Sequence, residues 1–156
     1  MMEIVRLRPE HVESLETFFQ DINSPEFTKD FNPFPFDGER ARVLCNYQGK
    51  DFYCALIRGS KEIIGLGMLR GWDEGYEVPS IGLCILKKYQ CMGLGRLLLN
   101  FLEIVAAMRG NGRVMLKVKK DNQQAKKLYK NNDYIFSEYN DEYLIGYKDM
   151  LPKRQG

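Results

Sequence analysis

The run KKYQCMGLGRLLL, Lys87 to Leu99, sets Gln90, Gly93 and Gly95 directly ahead of a leucine-rich segment. Glycine inside a helix costs roughly 1 kcal/mol relative to alanine, so two at a helix entrance ask for a compensating use. Holding phosphate is one such use. The first turn of a helix leaves backbone N–H groups unpaired, and the helix dipole favours an anion there. Glycine removes the side chain that would keep a pyrophosphate away. On this reading Gln90 at the loop entrance fixes its shape, and Arg96 at the helix start adds positive charge. A plain tight turn between strand and helix accounts for the two glycines equally well. Two other phosphate motifs are excluded by their spelling. No G-x-x-x-x-G-K-S/T string occurs, and the last glycine of a dinucleotide fingerprint would fall on Leu98.

The elements that must position this loop can be read from apolar spacing. EIVRLR (Glu3–Arg8) alternates as a strand, and Val12, Leu15, Phe18, Phe19 and Ile22 recur at helical spacing. Pro25, Pro33 and Pro35 break that pattern into a loop, and ERARVLCNY reads as a short second helix. DFYCALIR and EIIGLGMLRGW form a hairpin through Gly59-Ser60-Lys61, and VPSIGLCIL is a further strand. Leu94, Leu97, Leu98, Phe101, Leu102, Val105 and Met108 then repeat as an amphipathic helix that Gly110 and Gly112 end. RVMLKV is a strand. Asp121 or Asn122 caps a last helix carrying Ala125, Leu128 and Tyr129. Asn131-Asn132-Asp133 closes that helix before two final strands, YIFSEY and EYLIGYKDM. The order β-α-α-β-β-β-α-β-α-β-β describes an α/β or α+β sheet covered by helices.

The 156 residues suit a single domain, residues 1–156, with room for a substantial core. A net charge of +2 implies no general attraction to nucleic acid or membrane, and no apolar run approaches the ~20 residues of a membrane span. Lys117, Lys119, Lys120, Lys126, Lys127 and Lys130 read as a solvated helix and strand face rather than a nucleic-acid footprint. The start of the chain lacks a secretory pattern, so a cytoplasmic location is expected. Cys45, Cys54, Cys84 and Cys91 show no C-x-x-C spacing and His11 is the only histidine, so no metal site is expected.

The string Gln90-Cys91-Met92-Gly93-Leu94-Gly95 fits Q/R-x-x-G-x-G, and a second block, DNQQAKKLYKNNDYIF, sets Asn122, Ala125, Leu128, Tyr129 and Tyr134 one helix and one strand later. On these two linked blocks and the order of elements, the whole chain resembles the GNAT superfamily of acyl-CoA-dependent N-acyltransferases. Lys87 stands where that family often has proline, and Asp133 where it often has glycine. The resemblance implies a mixed, mostly antiparallel sheet of six to seven strands with about four helices, splayed between the fourth and fifth strands. It implies acetyl-CoA as co-substrate, with Leu83, Cys84 and Ile85 pairing with the pantetheine arm and Cys91 to Arg96 holding the pyrophosphate beside Asn122. It also implies a backbone N–H near Ile85 as oxyanion donor and Tyr129 as general acid, with direct transfer to the amine rather than through Cys84 or Cys91.

The general base is open, because VPSIGLCIL carries no carboxylate. Asp73 and Glu74, just before that strand, are candidates for a water-relayed base and equally read as turn charges. Phe34, Phe36, Trp72 and Tyr76 are candidate acceptor walls; for the phenylalanines, core packing is the competing reading. LRGWDEGYEVPS also resembles members associated with surface-polysaccharide or amino-sugar pathways. The expected partner is a small-molecule primary amine, an amino sugar or amino acid among others, with a homodimer compatible. The competing class is a non-catalytic GNAT-fold module that binds acyl-CoA or a metabolite without turnover.

Overall fold

A computed structural model describes residues 1–150; the expected domain boundary at residue 156 lies outside the described residues. The chain forms β1 (Met2–Arg6), a 3-10 turn, α1 (Val12–Ile22), a one-turn α2 (Pro25–Thr28), α3 (Gly38–Cys45), β2 (Phe52–Arg58), β3 (Glu62–Arg70) and β4 (Ser80–Ile85). A second 3-10 turn at Lys87–Tyr89 leads to α4 (Leu94–Met108), β5 (Arg113–Lys119), α5 (Gln123–Asn131), β6 (Ile135–Glu138) and β7 (Tyr143–Asp149). The seven strands make one sheet in the order β1-β2-β3-β4-β5-β7-β6, antiparallel except for β4 beside β5. The expected mixed, mostly antiparallel sheet is what the chain builds. The proline-broken loop differs in one detail: Pro25 opens a helical turn after Ser24, since proline's fixed φ suits the first helical position.

Helices cover both faces, so β2 and β3 are buried almost throughout, while β5 alternates buried and open residues. On one face, Leu98, Leu99, Leu102 and Ala106 of α4 and Tyr129 of α5 pack on Ile64, Leu69, Ile81, Val114, Leu116 and Val118. On the other, Leu15, Phe18, Phe19 and Ile22 of α1 and Ala41 and Leu44 of α3 pack on Leu66, Met68 and Cys84. Phe34 and Phe36 belong to this second core. Both are buried, with ring centroids 6.1 and 5.3 Å from Phe19. They therefore anchor the loop beneath the surface and are not acceptor walls.

The position of the site follows from how β4 meets its neighbours. In an antiparallel pair, opposed residues alternate between those that exchange both hydrogen bonds and those whose N–H and C=O point away. Leu86 N–H donates to Ile64 C=O at 2.9 Å, so the same alternation commits Cys84, Gly82 and Ser80 to Leu66, Met68 and Arg70 of β3. Backbone groups of Ile81, Leu83 and Ile85 consequently face β5. That strand pairs with β4 only at Ser80 opposite Met115, next to Met115 N–H donating to Pro79 C=O. Beyond Met115 the strands diverge. The polar edge of Leu83 and Ile85 is left facing a gap.

Candidate active site

That gap opens into a cleft of about 930 Å³. Its floor is the β3–β4 surface from Met68 and Arg70 to Ser80, Gly82 and Leu83; one wall is the segment around Phe27, Phe31 and Asn32, and the other carries Lys117, Asn122 and Tyr129 with Tyr139, Asn140 and Tyr143 from the β6–β7 turn. Gln90 lies at the top, where its Nε2 donates to Ile85 C=O at 2.9 Å and ties the following loop to the end of β4.

After Gln90 the backbone turns sharply. Cys91 (φ 64°) and Gly93 (φ 86°) are both left-handed, with Met92 between them and helical Leu94 after. Alternation of this kind turns successive N–H groups into one concavity, the geometry of an anion nest. Helix α4 then begins with no side-chain cap, and its first N–H paired within the turn is Leu97, to Gly93 C=O at 3.0 Å. A Cβ built on Gly93 meets nothing within 4 Å, and one on Gly95 meets only Leu128 Cδ2 at 3.5 Å. The space that a side chain would fill is open. Exposed Cys91 also accepts from Gln124 Nε2 at 3.6 Å, which links this loop to the start of α5. Asn122 caps α5 through Oδ1, which accepts from Ala125 N–H at 3.2 Å.

Tyr129 projects from α5 into the cleft yet is only 8% exposed. Burial pushes its hydroxyl up to about 12, with the neighbouring Cys84 sulfur adding to the shift. Its ring meets Tyr134 edge-on at 5.7 Å, and Tyr134 in turn donates to buried Glu103 of α4 at 2.7 Å. Lys148 of β7 completes that network, donating to the same Glu103 oxygen at 3.1 Å. Tyr129 thus rests on a neighbour that three elements hold. Burial also raises the thiols of Cys45, to about 11, and Cys54, to about 12, and drives Cys84 higher still, so these sulfurs remain protonated thiols at neutral pH.

The described residues thus combine a seven-stranded sheet with one parallel, splayed junction, an uncapped glycine-bearing helix start and a tyrosine across the cleft. The acetyltransferase (GNAT) family model matches residues 16–134. The chain belongs to the GNAT family. Among curated proteins, none matches it by sequence. Solved GNAT structures share its fold. The GNAT domain of S. lividans PAT superposes with a TM-score of 0.81 at 17% identity, covering 96% of this chain and 90% of that one. A PaiA N-acetyltransferase from Thermoplasma acidophilum, solved with coenzyme A, gives 0.75 at 17%, covering 96% and 99%. Spermidine N-acetyltransferase from Vibrio cholerae, solved with CoA and spermine, gives 0.76 at 14%, covering 95% of each chain.

Within this GNAT fold Leu83, Gln90, Asn122 and Tyr129 converge on one cleft, with Cys91 to Arg96 directly above Gln90. Ile85 offers its backbone to the same gap. Cys84 does not, since its amide pairs with β3 and its side chain is buried. Trp72, Asp73, Glu74 and Tyr76 occupy the β3–β4 turn, at the opposite end of β4 from Gln90, and none lines the cleft. Asp73 instead accepts from Tyr47 hydroxyl and from Lys50 N–H, and Trp72 stacks on Arg109 at 4.5 Å. Buried Asp51 holds the turn by accepting from the N–H groups of Gly71, Trp72 and Asp73. These residues build the turn before β4, where Trp72 and Tyr76 line a separate, shallower cleft with Arg109. Sequence reasoning passed over Arg70, Tyr139, Asn140 and Tyr143, because only the pairing of β3, β5 and β7 around the gap brings them to it.

Proposed function

We propose that the protein transfers an acetyl group from acetyl-CoA to a primary amine of a small molecule by direct attack. The observation that carries this reading is the unpaired backbone edge of Leu83 and Ile85, running in one cleft from the uncapped start of α4 to Tyr129. A thioester supplies an activated acyl group; the residues supply the rest. The edge of β4 offers a donor and an acceptor to an amide-bearing arm, and the nest at Cys91 to Gly95 offers N–H groups to its pyrophosphate. Asn122 stands beside that path.

In the transfer, the amine nitrogen bonds to the acyl carbon and the C–S bond breaks. The N–H of Ile85 faces the gap where charge develops on the acyl oxygen. Tyr129 gives its proton to the departing sulfur, and the surplus proton of the neutral amine, relayed through solvent to the tyrosinate, restores the phenol. A hydroxyl raised to about 12 is a weak acid in water. The same dry surroundings that disfavour a tyrosinate disfavour a bare thiolate, which narrows the gap between them. Asp73 and Glu74 have no part in this scheme, because the turn that holds them lies at the other end of β4.

Calorimetric titration with acetyl-CoA, followed by thiol release across a panel of primary amines, tests the reading. Micromolar binding with turnover of at least one amine is expected. Binding without turnover of any amine would favour the non-catalytic module, and absence of binding by folded protein would remove both.

A further inference from the structure

The charges of the cleft are not evenly placed. Asp21, Asp30 and Lys29 are exposed on its rim, and Glu26 pairs with Lys87 at 2.7 Å. Exposed rim charges are solvated and need no partner. Arg70 is different. It stands on the floor at the end of β3, is half-buried, and forms no ion pair or side-chain hydrogen bond among the described residues. The ring of Phe34 lies 5.8 Å from the guanidinium, with Arg40 at 5.0 Å from the same ring, and Tyr53 is close enough to feel the Arg70 charge; none of these neutralises it. A guanidinium is always charged, and partial burial without a carboxylate costs free energy that a bound oxyanion offsets.

Lys117 faces it across the gap. Arg70 is opposite Ser80, Ser80 pairs with Met115, and Lys117 lies two residues further along β5 on the same face. Adjacent strands are about 4.8 Å apart, so Arg70 and Met115 are roughly 10 Å apart across β4, and Lys117, beyond Met115 where the strands part, lines the same cleft as Arg70. The ring of Tyr139 lies 4.0 Å from the Lys117 ammonium, and Lys117 itself is exposed to solvent along the cleft. Phosphates of acetyl-CoA do not account for this pair of cations. The nest and α4 lie on the face that buries Val114, Leu116 and Val118, whereas Arg70 and Lys117 stand on the opposite face with Met68 and Phe34.

We infer that the acceptor amine also carries an oxyanion, a carboxylate or a phosphate, which Arg70 receives on the floor of the cleft with Lys117 on the wall beside it. This inference rests on the acetyl-transfer reading for the word acceptor, but the anion site itself is testable without turnover. Inorganic phosphate and acetate, titrated at constant ionic strength and followed by thermal melting, should stabilise the Gly93→Val variant, in which the nest is blocked and cannot contribute. Adding Arg70→Ala to that variant should abolish the stabilisation. Stabilisation that survives Arg70→Ala in that background, or none in Gly93→Val itself, would overturn the anion site whatever the enzyme does.

Matched amines then separate the sources: an α-amino acid against its amide, and an amino sugar against its phosphate ester. The wild type should prefer the anionic member of one pair at least tenfold in kcat/KM, and Arg70→Ala should bring that ratio towards one while Arg70→Lys restores part of it. Preference for the neutral member of both pairs would overturn the assignment of the anion to the acceptor.

Discussion

Among single residues, the chemistry proposed here depends most on Tyr129. A positioned general acid contributes about 10²- to 10⁴-fold, so Tyr129→Phe is expected to lower kcat by about 100-fold. The hydroxyl itself is not placed in the phosphate nest, so the acetyl-CoA Kd should stay within about twofold of wild type. The pH dependence has a definite sign. Because burial pushes the hydroxyl up to about 12, the proton-bearing form persists at every lower pH, and ionisation of Tyr129 causes no loss of rate in the working range. The wild-type to Tyr129→Phe ratio of kcat should therefore be flat between about pH 7 and 10, an interval that ends at the ordinary tyrosine value. A ratio falling across that interval would mean that the residue titrates there and lies in a wetter place. The proposed role of Tyr129 came from the family resemblance that the second block carries; its burial was not legible, since Tyr134, Glu103 and Lys148 come from elements that only the fold brings together.

For individual elements, the start of α4 separates two uses of glycine that the sequence leaves joined. Gly93 is left-handed, at φ 86°, and a side chain there strains the backbone by about 1–2 kcal/mol even though the space is empty. Gly95 lies within the helix, where an added methyl meets only Leu128 at an ordinary 3.5 Å. Gly95→Ala should thus stabilise the fold by about 0.5–1 kcal/mol, as alanine does in helices, while the methyl added in the first turn of α4 is expected to weaken acetyl-CoA binding about tenfold. Urea denaturation and calorimetry on the same variant read the two effects separately. Greater stability with unchanged affinity would show that Gly95 serves packing and not the pyrophosphate. The element boundaries themselves were largely legible, because apolar spacing of 3.6 and 2 leaves a plain record. The turn at Pro25 was hidden by prolines that both start and interrupt helices.

Across the whole molecule, β4 belongs to β3 along its full length and to β5 only at one end. A pattern in amide hydrogen exchange follows from this. The amides of Gly82 and Cys84, spent on β3, should exchange slowly, while those of Leu83 and Ile85 in the same strand should exchange at least tenfold faster. Acetyl-CoA should slow the second pair selectively. Uniform protection along the strand in the free protein would mean that β5 closes onto β4 and that no backbone edge is open to a ligand.

The sequence alone determined what depends on local periodicity and on backbone chemistry: the strands and helices, the glycine-bearing helix entrance, the cap at Asn122, and with them the family. Only the tertiary structure decided which residues face one another across the cleft. Asp73, Glu74, Trp72 and Tyr76 are close to β4 in sequence, yet a turn at the paired end of a strand is held away from the splayed end. Phe34 and Phe36 have the composition of a binding wall but face inward onto α1, where burying an aromatic ring releases more water than leaving it at a rim. Arg70 and Lys117, 47 positions apart in the chain, line one cleft because β3 and β5 flank the same strand, and that adjacency is a property of sheet order rather than of either segment.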